Sequence, residues 1–194
     1  MLPVAKEERF KALADAVLSC ERCVLHEGRL NPVVGGGDLD SSLVLVGEAP
    51  GRREDERGEP FVGSAGKLLD GLLEGAGLRR SELFITNVVK CRPPKNRRPL
   101  SKEVESCTPH LEALLTIISP RVVAPMGNSA TGYFLRKYGL ERARIGETHG
   151  KALEVESSWG RLILFPLYHP AAVLYNRSLE EELIRDFEKL KTLL

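Results

Sequence analysis

His169 follows the apolar run Leu162 to Phe165 and precedes Pro170, which fixes the backbone beside it. An imidazole so placed can donate a hydrogen bond to an anion that forms during a reaction. Asn87 and Glu48 stand just after two other apolar runs, Leu83 to Thr86 and Leu43 to Val46, and Asn128 follows a further run, Val122 to Ala124. His26, His110 and His149 have no comparable setting and read as surface or core residues. Neither a Ser/His/Asp order nor an HExxH pattern occurs, which argues against an acyl-enzyme and against hydrolysis at a protein-bound zinc. Gly63-Ser-Ala-Gly66-Lys67 fails the test of a P-loop. Its glycines are too close together, and Leu68 stands where a Mg²⁺-binding hydroxyl is needed, so these glycines read as sites of close helix packing.

Four cysteines, Cys20, Cys23, Cys91 and Cys107, offer four thiolates with none left over. Either zinc or an iron–sulfur cluster could use them, although a zinc ribbon pairs two C-x-x-C knuckles and here only Cys20 and Cys23 form one. Between the other two runs the segment Arg92-Pro-Pro-Lys-Asn-Arg-Arg-Pro99, whose prolines forbid regular structure. A metal site would pin both ends of it. Lys90, Arg92, Lys95, Arg97, Arg98 and Lys102 would then form a fixed phosphate-binding edge, with no carboxylate among residues 90–102.

The elements that must position these groups follow from periodicity. A helix is expected over residues 5–19, ending at the C-x-x-C, and then an irregular Gly-rich connection from His26 to Ser42. The Leu43 to Val46 strand leads into a long polar loop and a helix whose face is Leu68, Leu69, Leu72, Leu73 and Ala76, closed by Gly77. A loop of that length at the carboxyl end of a strand is the expected place for a ligand, set against the plainer reading of a solvated surface loop. The spacing predicts further helices from Ser101 to about Ile118, from an N-cap at Asn128, and from Ser178 with a Ser-x-x-Glu capping box. Residues 139–160 read as a hairpin or loop. Four apolar strands alternating with helices predict a single-domain three-layer α/β/α fold around a four-stranded parallel sheet. Right-handed crossovers would bring Glu48, Asn87, Asn128 and His169 to one sheet edge.

At 194 residues one domain, 1–194, is the expected organisation, with an N-terminal helix and cysteine-bearing segment at about 1–42. Lys plus Arg number 28 against 27 Asp plus Glu, so the net charge of +1 neither demands nor excludes a polyanion, and local distribution must decide. The segment MLPVAKEERF lacks the apolar core of a secretory signal, and no stretch approaches about 18 uninterrupted apolar residues. A cytoplasmic chain with no membrane partner is expected, in which four thiols hold metal rather than form disulfides.

The sequence resembles the family 4 uracil-DNA glycosylases, the iron–sulfur branch of that superfamily. The likeness rests on GEAPGRREDERGEPFVGSAGKLLD, on ITNVVKCRPPKNRRP, on the cysteine spacing and on LYHPAAVL, in the family's order. It implies a DNA repair enzyme that hydrolyses the N-glycosidic bond of deoxyuridine in single- or double-stranded DNA and leaves an abasic site. It implies a structural [4Fe–4S] cluster on Cys20, Cys23, Cys91 and Cys107. Phe61 would stack on the extruded base, Asn87 would read its edge, and His169 would stabilise charge on a uracil oxygen. Backbone of Gly47, Glu48, Ala49 and Gly51 would contact the base, while Val173 and Leu174 would wedge into the DNA.

Ala49 departs from a related branch that carries a water-activating acid at this place. Either Glu48 serves instead or the bond breaks dissociatively and water is captured afterwards, and the second is favoured. Glu54 is the residue expected to crowd a thymine methyl, with Gly51 leaving space beside it. The rival readings are a non-catalytic iron–sulfur nucleic-acid binding module and a relative that links covalently to DNA through a histidine. The second is disfavoured because RPPKNRRPL contains none. A replication clamp is admitted as a partner, and a monomer is expected.

Overall fold

A computed structural model describes residues 5–194; the first four residues of the expected N-terminal segment lie outside it. Its strands are β1 (Gly36–Gly37), β2 (Leu43–Gly47), β3 (Phe84–Asn87), β4 (Val122–Pro125), β5 (Leu153–Ser157) and β6 (Gly160–Leu164). The helices are α1 (Lys6–Leu18), α2 (Arg52–Arg57), α3 (Ser64–Gly75), α4 (Ser101–Ile118), α5 (Gly127–Lys137), α6 (Ile145–Thr148), α7 (Ala171–Tyr175) and α8 (Glu180–Lys191).

The sheet order is β1-β3-β2-β4-β6-β5. It is six-stranded and mixed, which corrects the expectation of four parallel strands. β3, β2, β4 and β6 do run parallel, but β1 and β5 pair antiparallel at the two edges. β2 and β4, in the middle of the sheet, are apolar throughout because both of their faces are covered. Val44, Val46, Phe84 and Val123 pack with α1, α4 and α5, through Val17, Leu111 and Phe134. Leu43, Leu45, Ile85 and Ala124 point the other way, onto Leu69 and Leu73 of α3 and Leu183 and Phe187 of α8. Alternation along each strand thus builds two cores and three layers.

Two helix starts differ from expectation. α5 begins at Gly127 with Met126 before it, and Asn128 uses its carboxamide to accept from the Ile145 N–H at 2.9 Å instead of capping its own helix. α8 begins at Glu180 after a 3₁₀ turn at Arg177–Leu179, and Asn176, not Ser178, accepts the capping bond there. Residues 153–164 form the β5–β6 hairpin.

Candidate active site

The parallel strands end together. Gly47 pairs with Asn87 in the β2–β3 register, and beyond β4 and β6 a bridge joins Met126 to Leu167. The residues that follow each end, Glu48, Asn87, Asn128 and His169, line one cleft of about 770 Å³. The convergence expected from chain order is therefore present, and Ala49, Gly51, Glu54 and Phe61 line the same cleft.

Asn87 is 2% exposed. Among the described residues no protein group hydrogen-bonds its carboxamide, so its acceptor and its two donors are left for whatever enters. Gly47 is required beside it. A Cβ there would overlap Asn87 Oδ1 and the Phe61 ring. Phe61 sits at φ 53°, a conformation unusual for a bulky residue, with its ring 5.6 Å from that of His169 at an interplanar angle of 30°. Gly66 makes this possible, since any side chain there would run into the Phe61 carbonyl. The glycines that imitate a P-loop thus serve close packing, of loop on helix.

Glu54, on α2, stitches the loop together. Its Oε1 accepts from the N–H groups of Val62 at 3.0 Å and Gly63 at 2.8 Å. A Cβ on Gly51 would stand 2.7 Å from Glu54 Oε2, so the carboxylate lies directly beside that glycine. The buried Asp55, one residue on, accepts from the Leu30 N–H at 3.0 Å and ties α2 to the segment after the first cysteines. Neither α2 nor this tie is visible as hydrophobic period in a run of charged residues.

His169 is held in one tautomer. The Ala171 N–H donates to its Nδ1 at 3.2 Å, which leaves the proton on Nε2. Burial pushes the imidazole down to about 4, against an upward pull from Glu54. At neutral pH the group is an uncharged N–H donor.

The basic loop divides into unlike parts. Arg98 is exposed and lies 3.9 Å from Glu48, and Lys95 is exposed at the tip of the turn. Arg92 bonds Asn96 Oδ1 at 2.7 Å. Arg97 is committed to Glu103 through two bonds of 2.8 and 2.6 Å, and Glu103 also accepts from the Leu100 N–H, so the pair closes the start of α4. Lys90 is not part of a surface at all, which corrects its assignment to a DNA-binding edge. It is 1% exposed, and its Nζ donates to Thr86 Oγ1 at 2.5 Å and to the Asn87 carbonyl at 2.9 Å. Burial pushes its ammonium down to about 8. Val173 is likewise buried in the core, which removes it from the expected wedge; Leu174 and Tyr175 are the exposed apolar residues there.

Cys20, Cys23, Cys91 and Cys107 line a second, small cavity behind the loop. Among the described residues no three His, Cys, Asp or Glu side chains are disposed to hold a single metal ion. Donors point at two of the sulfurs, Arg29 Nη1 at 3.2 Å from Cys91 and the Lys90 backbone N–H at 3.2 Å from Cys107, and His110 Nε2 shares a hydrogen bond of 3.3 Å with Cys20 Sγ. Such donors suit thiolate ligands, whose lone pairs accept them. Burial pushes the Cys107 thiol up to about 11 and raises that of Cys91, so ligation here must displace protons. His110, read from sequence as a bystander, is a neighbour of this cavity. No helix among the described residues is long and apolar enough to cross a membrane.

The parallel strand tips of this α/β sheet thus surround a cleft with an unpaired carboxamide, a neutral imidazole and a stacked ring, groups that can hydrogen-bond and stack against a flat polar heterocycle. The profile of the uracil DNA glycosylase superfamily matches residues 34–191, and the chain belongs to that superfamily. Its relatives point to one branch. It is 47% identical over 184 residues to the type-4 uracil-DNA glycosylase of Archaeoglobus fulgidus, covering 94% of this chain and 92% of the relative. It is 42% identical to that of Sulfurisphaera tokodaii, covering 96% and 85%, and 39% identical to that of Thermotoga maritima, covering 96% and 95%.

Proposed function

We propose that this chain, acting as a single domain, flips uracil out of DNA and hydrolyses its N-glycosidic bond, releasing free uracil and leaving an abasic site. The observation that carries this reading is the Asn87 carboxamide, buried and unpaired in the cleft that Phe61 and His169 also line. It can accept from uracil N3–H while donating to O4. Cytosine presents the opposite pattern and would leave buried polar groups unpaired, which rejects it strongly.

The base cannot be reached inside a duplex, so it is extruded, and stacking on Phe61 offsets part of that cost, about 1–3 kcal/mol. As the bond to the sugar lengthens, negative charge collects on the pyrimidine. The His169 Nε2–H donates to the oxygen beside the breaking bond, and its effect is greatest where charge is greatest, in the transition state. Glu48 lies in the same cleft facing Arg98 and Ala49 offers no acid, so bond breaking runs ahead of water attack. Arg98, Lys95 and Arg92 meet phosphates, while Arg97 holds the loop in shape. Leu174 lies exposed beyond the cleft, where it can fill the gap left by the base.

The four cysteines hold a [4Fe–4S] cluster, a reading supported by the type-4 relatives and by the donors aimed at the sulfurs. The cluster supplies a structural clasp that fixes both ends of the basic loop. The test is release of labelled uracil from single-stranded and duplex DNA by the wild type and by Asn87→Ala. Release by the wild type and its loss in the variant is the expected result. DNA binding without any release would favour a non-catalytic module.

A further inference from the structure

Among the described residues Lys90 is a strongly buried cation that this mechanism leaves without a task. Its ammonium lies wholly inside the protein, and among the described residues no carboxylate pairs with it. Two of its three protons are used, on Thr86 Oγ1 and on the carbonyl of Asn87, the last residue of β3. Its main chain is also anchored at both ends. The N–H donates to Cys107 Sγ, and the carbonyl accepts from the Val33 N–H at 2.7 Å. Thr86 in turn donates to the Val34 carbonyl at 2.8 Å. The residue therefore stands between the two sites: it lines the cysteine cavity and grips the peptide that carries the cleft's carboxamide.

A lone buried charge is costly unless something of opposite sign lies near it. The strand end supplies only neutral acceptors. Lys90 also lines the cysteine cavity, and thiolates bound to metal would carry the negative charge required. We propose that Lys90 is a positioning residue that joins the cysteine cage to the base-reading carboxamide. Its ammonium holds the Thr86–Asn87 end of β3 and takes its counter-charge from the thiolates of the cage. The proposal rests on the functional reading above twice, on the cleft for the meaning of Asn87 and on the cluster for the counter-charge. Methionine at this position would fill similar space and supply neither charge nor donor.

The test uses the metal-loaded protein with two readouts, the rate of iron loss to a chelator and the inhibition constant of free uracil. In Lys90→Met, iron loss should quicken by about tenfold or more, as it does when a partner of a ligand is removed, and uracil affinity should fall by about tenfold. Thr86→Val keeps the charge and removes one anchor, so it should weaken uracil binding and leave iron loss near the wild-type rate. His169→Gln touches only the cleft and should leave iron loss unchanged. Wild-type iron loss in Lys90→Met overturns the counter-charge, as would a wild-type protein whose cysteines hold no metal. Wild-type uracil affinity in both Lys90→Met and Thr86→Val overturns the positioning role, and Thr86→Val decides that point if Lys90→Met does not fold. If the wild type itself does not bind uracil, the functional reading fails while the iron-loss arm still judges Lys90.

Discussion

Replacing His169 by alanine separates chemistry from binding. Among the described residues the imidazole makes one hydrogen bond, accepting from the Ala171 N–H, which leaves its Nε2–H for the role proposed above. Removing a donor of this kind costs about 10²–10³ in rate, roughly 2.7–4 kcal/mol of barrier. Because the charge it meets grows only as the bond breaks, single-turnover cleavage should fall by that factor while DNA affinity moves little. The burial that holds the group near 4 gives a second, independent signature. Its folded value is depressed below the ordinary 6.5, so the unfolded chain takes up the proton first as pH falls. Above pH 6.5 there is no penalty. Between there and pH 4 the wild type should lose stability relative to His169→Ala, reaching about 3 kcal/mol at roughly 1.4 kcal/mol per pH unit. Urea midpoints of the two proteins at a series of pH values measure this, and the wild-type cleavage rate should show no inflection near 6.5. Cleavage by His169→Ala within tenfold of wild type, or parallel pH–stability curves, would refute the assignment of a buried neutral donor.

Gly47→Ala should abolish measurable uracil release while the far-ultraviolet circular dichroism stays native, because the added methyl overlaps Asn87 Oδ1 and the Phe61 ring. Glu103→Ala removes the acceptor of two Arg97 bonds and one backbone N–H and should cost about 1–3 kcal/mol in thermal unfolding. Arg97 holds the Glu103 carboxyl below the ordinary range, so this contribution is full above the unfolded carboxylate value and should fade as pH falls below it. Arg98→Ala should weaken DNA binding evenly across sequences and shallow its salt dependence by about one ion, read by fluorescence anisotropy at several salt concentrations. An unchanged slope would place Arg98 off the DNA.

β2 and β4 were legible because they are buried on both faces, so Leu43–Val46 and Val122–Ala124 stand out as apolar runs, with Glu48 and Asn128 a few residues beyond them. That alone puts Glu48, Asn87 and His169 at strand tips. The edges were not legible for the opposite reason. β1 is two glycines with no side-chain pattern, kept by the closeness of Leu83 and Phe84, and β5 alternates with exposed glutamates in a stretch rich in charge. α2 is hidden in the same way, since Arg52–Arg57 carries no apolar stripe and its order comes from Asp55 and Glu54 accepting backbone bonds. Lys90 and Arg98 look equivalent in a run of positive charge. The β3 pleat and the cysteine spacing turn one inward and leave the other outside, which composition cannot express.

One short stretch carries parts of both sites, and this limits how they can fail. From Phe84 to Cys107 the chain supplies the carboxamide in the cleft, the buried ammonium, two cysteines and the loop between them. Local order in the loop is slight: Lys95 and Asn96 both take left-handed backbone, and its fixed points are the Arg97–Glu103 pair at one end and the Cys91 region at the other. Lose the grip at Cys91 and the nearest rigid element is β3 itself, which ends at Asn87. Damage to the cysteine cage should then register in the cleft as weaker base reading before the sheet unfolds, because the four parallel strands have cores on both faces that do not include the cysteines. Partial loss of iron from the proposed cluster should accordingly lower the affinity for uracil while leaving hydrogen exchange in β2 and β4 unchanged. A simultaneous loss of both would mean that cage and sheet are a single cooperative unit.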